Sequence, residues 1–473
     1  MSHPTHSTRD AALHTIFLVL ERFNNYSDIL RGKLIGALAD SFRVVVVTPD
    51  LDQDAQEKSG YFTHPNIIYE KIGAYYPKLW RLTEHYLRKY FVRSFDYLRT
   101  TNFLYYQYPY RLRDRILRDI GALLPKKIMT PALFTAMESL IVRSSPQFSQ
   151  LVERYHPTLV VTGTPGFGYM PLMTEAVLFS KKLKIPTIAI NASIDNPYTM
   201  PKFVRKTDYL SVWHPWMQEK SIELFGYPRE RIFLGGCLKF DHYFNDVKEG
   251  KIQSRESFIR AKGLDPTKKL IVYATPTPGT YKPRKELMKE LVRMKQAGGF
   301  VDDPNLLVRL HPFDAWEPYE EFIKIPGITI ERSGAYRGRD GITAGPTVEM
   351  DEQDRINQTE TFRYADVLIN HPSTTLLEAA IFDTPVVTVA WPDKSAAAFN
   401  TEMSQTLDPL GAMRVARNPE ALTHHVNAYL KQPELDTEAR KKMVEQFVHF
   451  TDGLSWQRIL HYMQELLAKN SKI

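Results

Sequence analysis

Two short polar turns carry residues suited to anion chemistry. In the first, Arg309 and His311 stand beside Pro312 at the end of the apolar run Leu306–Leu310. Guanidinium and imidazole groups at such a place donate charge-assisted hydrogen bonds to phosphate oxygens. In the second, Asn370-His371-Pro372-Ser373-Thr374-Thr375 precedes an apolar stretch from Leu376 to Phe382, with Glu378 one helical turn on. Hydroxyls and backbone N–H groups at a helix N-terminus receive anions, and the Glu378 carboxylate is placed to accept from ribose hydroxyls. The bland reading of the same residues is an ordinary Ser/Thr helix cap. Thr275, after the run Leu270–Ala274, borders the same donor site. Lys239, in Gly235-Gly236-Cys237-Leu238-Lys239-Phe240-Asp241, reaches either a diphosphate or serves a hinge. On the acceptor side, Ser193-Ile194-Asp195-Asn196 follows another apolar run. Asp195 is the candidate general base for an acceptor hydroxyl, with an Asx turn as the structural alternative. Asn196 and the glycines Gly163 and Gly166 of a strand–helix loop complete that side; the small residues either let a ligand approach the backbone or simply form a tight connection.

Such turns need strands and helices to hold them. Val367–Ile369, the stretch from Leu376 and Pro385–Ala390 read as strand, helix and strand, the unit of a parallel sheet. His14–Leu20, Ile29–Ala39 and Phe42–Thr48 give a βαβ opening whose first turn, Glu21 to Asp28, is polar but lacks G-x-G-x-x-G. Residues 75–150 read as helical and interrupt the rhythm. It resumes at Thr158–Thr162, Thr187–Ile190, Tyr209–Val212 and Ile232–Leu234, and a second α/β unit runs from Leu270 to about residue 430. Residues 332–357 read as a polar loop. Trp456, Ile459, Leu460, Met463, Leu466 and Leu467 have the spacing of an amphipathic helix. The expected fold class is α/β, with two Rossmann-like parallel-sheet domains facing a cleft and a helical insertion in the first. The expected boundaries are 1–240, 241–445 and a terminal helix, 446–473, packing back toward the first domain.

Composition narrows the functions. A 473-residue chain with 43% hydrophobic and 24% charged residues is that of a soluble two-domain protein. No apolar run approaches the ~20 residues of a membrane span, and residues 1–13 lack a signal-peptide core. Cys237 is the single cysteine, which fits a reducing cytoplasm. There is no H-E-x-x-H, Walker A, G-x-S-x-G, D-x-D or DNA-reading signature, so the expected chemistry uses no cofactor, no metal and no nucleic acid. Residues 71–127 hold thirteen Lys and Arg against four Asp and Glu, a net +9 in a chain of net +7. Within them Leu79, Leu82, Tyr86, Leu87 and Tyr90 recur at helical spacing, flanked by Lys78, Arg81, Arg88 and Lys89. An anionic membrane surface or an anionic acceptor glycan fits this stretch. A core-facing stripe beside a solvated face is the plainer alternative.

Taken together, these motifs resemble the two-domain GT-B glycosyltransferase superfamily, and within it bacterial surface-polysaccharide proteins related to CDP-glycerol glycerophosphotransferases and CMP-sugar transferases. Ser193–Asn196 is similar to a family S-W-D-N element, with Ile194 in place of tryptophan. Phe225 to Asp241 resembles the family linker G-I-P-x-E-R-I-x-x-T-G-x-x-x-F-D. Arg309-Leu310-His311-Pro312 and His371-Pro372-Ser373-Thr374-Thr375 resemble the elements that hold the nucleotide phosphate. The resemblance covers 158–395 well, 14–50 weakly and 75–150 not at all. It implies donor binding by the second domain and acceptor binding by the first. Asp195 stands where glycerophosphotransferases have a histidine base. The implied reaction moves a sugar, or glycerol phosphate, from a nucleotide-activated donor to a surface polysaccharide or lipid-linked precursor, on the cytoplasmic side and peripheral to the membrane. A hydrolysing nucleotide-sugar epimerase of the same fold and a non-catalytic membrane-associated scaffold are the alternatives.

Overall fold

The computed structural model describes residues 13–21, 26–49, 61–73, 75, 77–83, 88–91, 98–103, 112–124, 130–141, 144–163, 170–199, 205–276, 284–312, 314–332, 334–337 and 347–470. Strands β1 (Thr15–Val19), β2 (Arg43–Thr48), β3 (Ile67–Lys71), β4 (Leu159–Thr162), β5 (Thr187–Ile190), β6 (Tyr209–Val212) and β7 (Ile232–Leu234) form one parallel sheet in the order β3-β2-β1-β4-β5-β6-β7. The second sheet holds β8 (Leu270–Ala274), β9 (Asn305–Leu310) and β10 (Ile328–Arg332). Beyond the pair β11 (Ala335–Arg337) and β12 (Thr347–Glu349), it continues with β13 (Val367–Asn370), β14 (Val386–Val389) and β15 (Arg414–Ala416). Its order is β10-β9-β8-β13-β14-β15, all parallel. Runs such as Val44–Val47 and Leu306–Val308 are buried on both faces, as parallel strands covered by helices on both sides must be. This is the two-sheet α/β architecture expected from the sequence.

Each order reverses once, between β1 and β4 in the first sheet and between β8 and β13 in the second. At such a switch point neighbouring connections leave to opposite sides, and a crevice opens outside the strand carboxyl ends.

One apolar cluster spans both sheets. It runs from Leu210 and Val212 through Trp213, Phe240 and Tyr243 to Leu270, Val272 and Leu368. Phe240 and Tyr243 belong to the helix Leu238–Lys248, which joins the two sheets. The terminal helix Ser455–Asn470 crosses back onto the first sheet, where Ile459, Met463, Leu466 and Leu467 pack among Ile16, Leu18, Leu38 and Val44. Asp241 holds its start by accepting from the Ser455 and Trp456 N–H groups at 3.1 and 3.0 Å. Gly236, at φ +84°, leaves room for Ser455 and Phe450 beside it.

Two regions differ from expectation. The stretch 332–357 is not simply a loop, because β11 and β12 pair antiparallel and a helix begins at Glu352. Asp351 and Asp354 form a reciprocal cap there, a start signal that the surrounding polarity conceals. The stripe from Leu79 to Tyr90 is not one helical face either. Its described parts are the helices Lys78–Leu82 and Lys89–Phe91, and their stripe residues do not share one environment. Trp80 and Tyr90 are buried, whereas Leu79 and Leu82 face solvent; Tyr86 and Leu87 lie outside the described residues. Arg88, expected on a charged face, is 2% exposed and pairs with the buried Glu138. The insertion also reaches the second domain. The Glu402 carboxylate accepts from the Thr100 N–H at 2.7 Å and from the Arg99 N–H at the start of the helix Arg99–Asn102.

Candidate active site

The donor-side candidates lie at the carboxyl ends of β8, β9 and β13, around the second switch point. Thr275 ties β8 to β9. Its N–H donates to the Arg309 carbonyl at 3.0 Å, and its hydroxyl accepts from the His311 N–H at 2.8 Å and donates to Asp314 Oδ2 at 3.1 Å. Tyr319 donates to the same Asp314 oxygen at 2.9 Å. Thr275 therefore shapes the turn that presents the half-buried His311 at the crevice.

Arg309 is engaged by its own neighbours. Its Nη1 donates to Glu331 Oε1 at 2.6 Å and to Thr361 Oγ1 at 3.3 Å. Lys262 and Asn357 reach the same carboxylate. Burial pushes Glu331 up, but Arg309 and Lys262 outweigh it and hold its carboxyl below the ordinary value. Arg309 thus forms a buried ion pair between β9 and β10, while its buried Nη2 has no hydrogen-bond partner among the described residues.

In the second turn, Ser373 Oγ and Thr375 Oγ1 lie 2.5 Å apart, and Asn370 Nδ2 donates to Thr375 Oγ1 at 3.0 Å. Asn370 is itself held by the Thr388 hydroxyl of β14 at 2.8 Å. The short helix Thr375–Ala380 follows. His371 is 4% exposed, with Nδ1 3.0 Å from Ser395 Oγ and Nε2 3.4 Å from the Tyr273 hydroxyl. Burial pushes its pKa down to about 3, so it anchors the turn as a neutral imidazole.

Glu378 and Lys239, expected at ribose and diphosphate, bind each other at 2.5 Å. Glu378 is completely buried and also accepts from Gln358 Nε2 at 2.8 Å, Thr374 Oγ1 at 3.3 Å and the Tyr243 hydroxyl. Four donors match the roughly four lone-pair sites of a carboxylate. Burial raises the Glu378 pKa, but Lys239 outweighs it and the net shift is downward; Lys239 itself is raised by Glu378 against burial. Lys239 opens onto a cavity of about 260 Å³ between the domains, lined also by Asp28, His242, Arg355 and Trp456 among others. Burial raises Asp28 to about 6 against the opposing pull of Lys239 and Arg355. Arg355 Nη1 donates across the domains to the Arg31 carbonyl at 3.0 Å. A larger hollow, about 810 Å³, lies beside the amino ends of β13 and β14, lined by Arg363, Phe382, Asp383 and His449. It sits away from every candidate residue, so we place no chemistry there.

Across the cleft, Asp195 lies beyond the carboxyl end of β5. Its carboxylate accepts from the Ser193 hydroxyl, and its carbonyl accepts from the Tyr198 and Thr199 N–H groups at 2.9 Å. Burial raises its pKa more than Ser193 lowers it, a direction suited to proton acceptance near neutrality. Asn196 is a structural pin: it is 6% exposed and donates to Asn191 Oδ1 at 2.6 Å. Gly163 is buried where β4 ends, and Gly166 lies outside the described residues. Among the described residues Asp195 shares no hydrogen bond with the donor-side group, and none of them forms a group of three or more His, Cys, Asp or Glu side chains able to hold a metal ion.

Asp28, Tyr243, Gln358 and Glu331 were not singled out from sequence. Tyr243 lies four residues after Lys239, one turn along the same helix face, and Asp28 ends the polar turn after β1. Those signals were present; Gln358 and Glu331 left none.

Two doubly wound parallel sheets, each with one switch point, define a GT-B-like two-domain α/β fold. The chain belongs to the CDP-glycerol:poly(glycerophosphate) glycerophosphotransferase family, whose model matches residues 187–465; it is an enzyme of that family. No curated protein sequence matches it. Among solved structures it is similar to a variant of the wall teichoic acid polymerase TagF, at 12% identity and TM-score 0.50 over 97% of this chain and 90% of that one. It is also similar to UDP-GlcNAc 2-epimerase from Neisseria meningitidis bound to UDP-GlcNAc, at 9% identity and TM-score 0.52 over 95% and 100%. A third likeness is to S. aureus MnaA in a UDP co-structure, at 12% and 0.51 over 96% and 97%. At such identities these likenesses show the fold alone.

Proposed function

We propose that the protein transfers glycerol phosphate from CDP-glycerol to a terminal hydroxyl of a poly(glycerophosphate) or lipid-linked glycan acceptor, on the cytoplasmic side. The observation that carries this reading is the family match, which spans Asp195, His311 and the Ser373 turn together. His311 and the Ser373–Thr375 turn hold the donor phosphates at the crevice. Asp195 takes the proton of the acceptor hydroxyl. That oxygen bonds to the phosphorus bearing glycerol, the bond from this phosphorus to CMP breaks, and CMP leaves. Donors aimed at the departing phosphate stabilise the charge that develops there. Arg309 and Thr275 act behind this set by fixing the β9 turn.

The test is transfer from labelled CDP-glycerol to a glycerophosphate-primed acceptor. His311→Ala and Ser373→Ala should each lower kcat/KM at least tenfold, about 1.4 kcal/mol. Wild-type-like kinetics in both would overturn the assignment. Turnover of UDP-GlcNAc without an acceptor would favour the epimerase reading instead.

A further inference from the structure

The helix Arg99–Asn102 is a single turn, and its first N–H groups find no acceptor within it. A side chain of the second domain supplies one. Glu402 starts the helix Glu402–Leu407 beyond β14. Its carboxylate accepts from the Thr100 N–H at 2.7 Å, the Thr100 hydroxyl at 2.5 Å and the Arg99 N–H. Its own N–H donates to Thr100 Oγ1 at 3.3 Å. Hydrogen bonds to a carboxylate are charge-assisted and strong. Thr100 is buried, so loss of the carboxylate would strand its N–H and hydroxyl away from water.

Each end of this tie leads to one half of the site. On the first domain, Arg99–Asn102 packs against the short helix Asn196–Thr199, and Leu98 shares an apolar cluster with Tyr198 and Leu224. That short helix begins directly after Asp195, whose carbonyl accepts from the Tyr198 N–H at 2.9 Å. On the second domain, Glu402 follows the helix Asp393–Phe399, whose Ser395 hydroxyl lies 3.0 Å from His371 Nδ1 in the Ser373 turn. Phe399 and Leu407, on either side of Glu402, are buried in the cluster that spans both sheets. Glu402 is therefore fixed in the same frame as the donor turn. The ties from Arg355 to Arg31 and from Lys33 to Glu249 attach to the segment after β1; the Glu402 tie instead meets an element packed on the helix behind Asp195. We propose that Glu402 is a positioning residue, holding Asp195 at its working distance from the donor turn. This rests on the proposed transfer reaction. Glu402 acts through Thr100 and the helix after Asp195, not on the reacting atoms. A displacement of about 1 Å at reacting groups costs on the order of a hundredfold in rate.

The experiment compares full-length wild type, Glu402→Ala and Glu402→Gln in transfer from labelled CDP-glycerol. Glu402→Ala should lower kcat roughly tenfold or more, with the KM for CDP-glycerol as in wild type. Glu402→Gln keeps one acceptor oxygen and should fall between. Adding Thr100→Val to Glu402→Ala should lower kcat no further, because both act through one tie. A single cooperative melting transition confirms that each variant is folded. Spin labels on Leu183→Cys and Ile323→Cys, exposed positions in the first and second domains, read the placement directly; Cys237 is buried. The interdomain distance should spread in Glu402→Ala relative to wild type. An unchanged kcat, a loss confined to KM, or an unchanged distance distribution overturns the proposal. If wild type transfers nothing from CDP-glycerol while the distance still spreads in Glu402→Ala, the functional reading falls and the tie stands.

Discussion

Glu378 holds a charge with no access to solvent, beside a lysine that is about one-third exposed. A carboxylate survives there only because Lys239, Tyr243, Gln358 and Thr374 all donate to it. Through Thr374 it steadies the turn that carries Ser373, and through Lys239 and Tyr243 it binds that turn to the joining helix. Glu378→Gln should therefore cost about 1.5–3 kcal/mol in urea unfolding, the range for hydrogen bonds to charged groups. A double-mutant cycle with Lys239→Met should show coupling. A loss below about 0.5 kcal/mol would mean the network is ornamental. The position was legible as chemistry but not as this chemistry: Tyr243 lies 135 residues away in sequence, and local spacing cannot pair residues so distant. The Arg309–Glu331 pair was hidden for a related reason. In a strand buried on both faces, the alternation of side chains does not say which face holds the crevice.

At the scale of elements, apolar runs and polar turns located most strands of both sheets, but not β10 or β15, the edge strands of the second. Val44–Val47 and Leu306–Val308 have no polar interruption and can only be covered on both sides. The insertion resisted because its helices are apolar on more than one side. Trp80 and Leu79 are adjacent, and only the packing tells which is covered. The terminal helix was legible from its spacing, and the structure adds what it covers. Met463 is fully buried among residues of the first sheet, so Met463→Ala should cost about 2–5 kcal/mol, measured by chemical denaturation. Full retention of stability would show that the helix merely rests on that sheet.

Over the whole molecule, several separate ties cross between the domains. Arg355 reaches the Arg31 carbonyl, Lys33 meets Glu249 at 2.5 Å, and Glu402 accepts from Thr100. In the proposed reaction the donor site belongs to the second sheet and the candidate base to the first, so transfer would depend on this mutual placement. The central claim is that the second switch point binds CDP-glycerol through His311. The most direct measurement is a thermal-shift panel of CDP-glycerol, CMP, UDP and UDP-GlcNAc on wild type and His311→Ala. Ligand at 100 times Kd stabilises by about 2.7 kcal/mol, enough to resolve. The account predicts a shift with CDP-glycerol that falls sharply in His311→Ala. No shift with CDP-glycerol, or an equal shift in the variant, would contradict it.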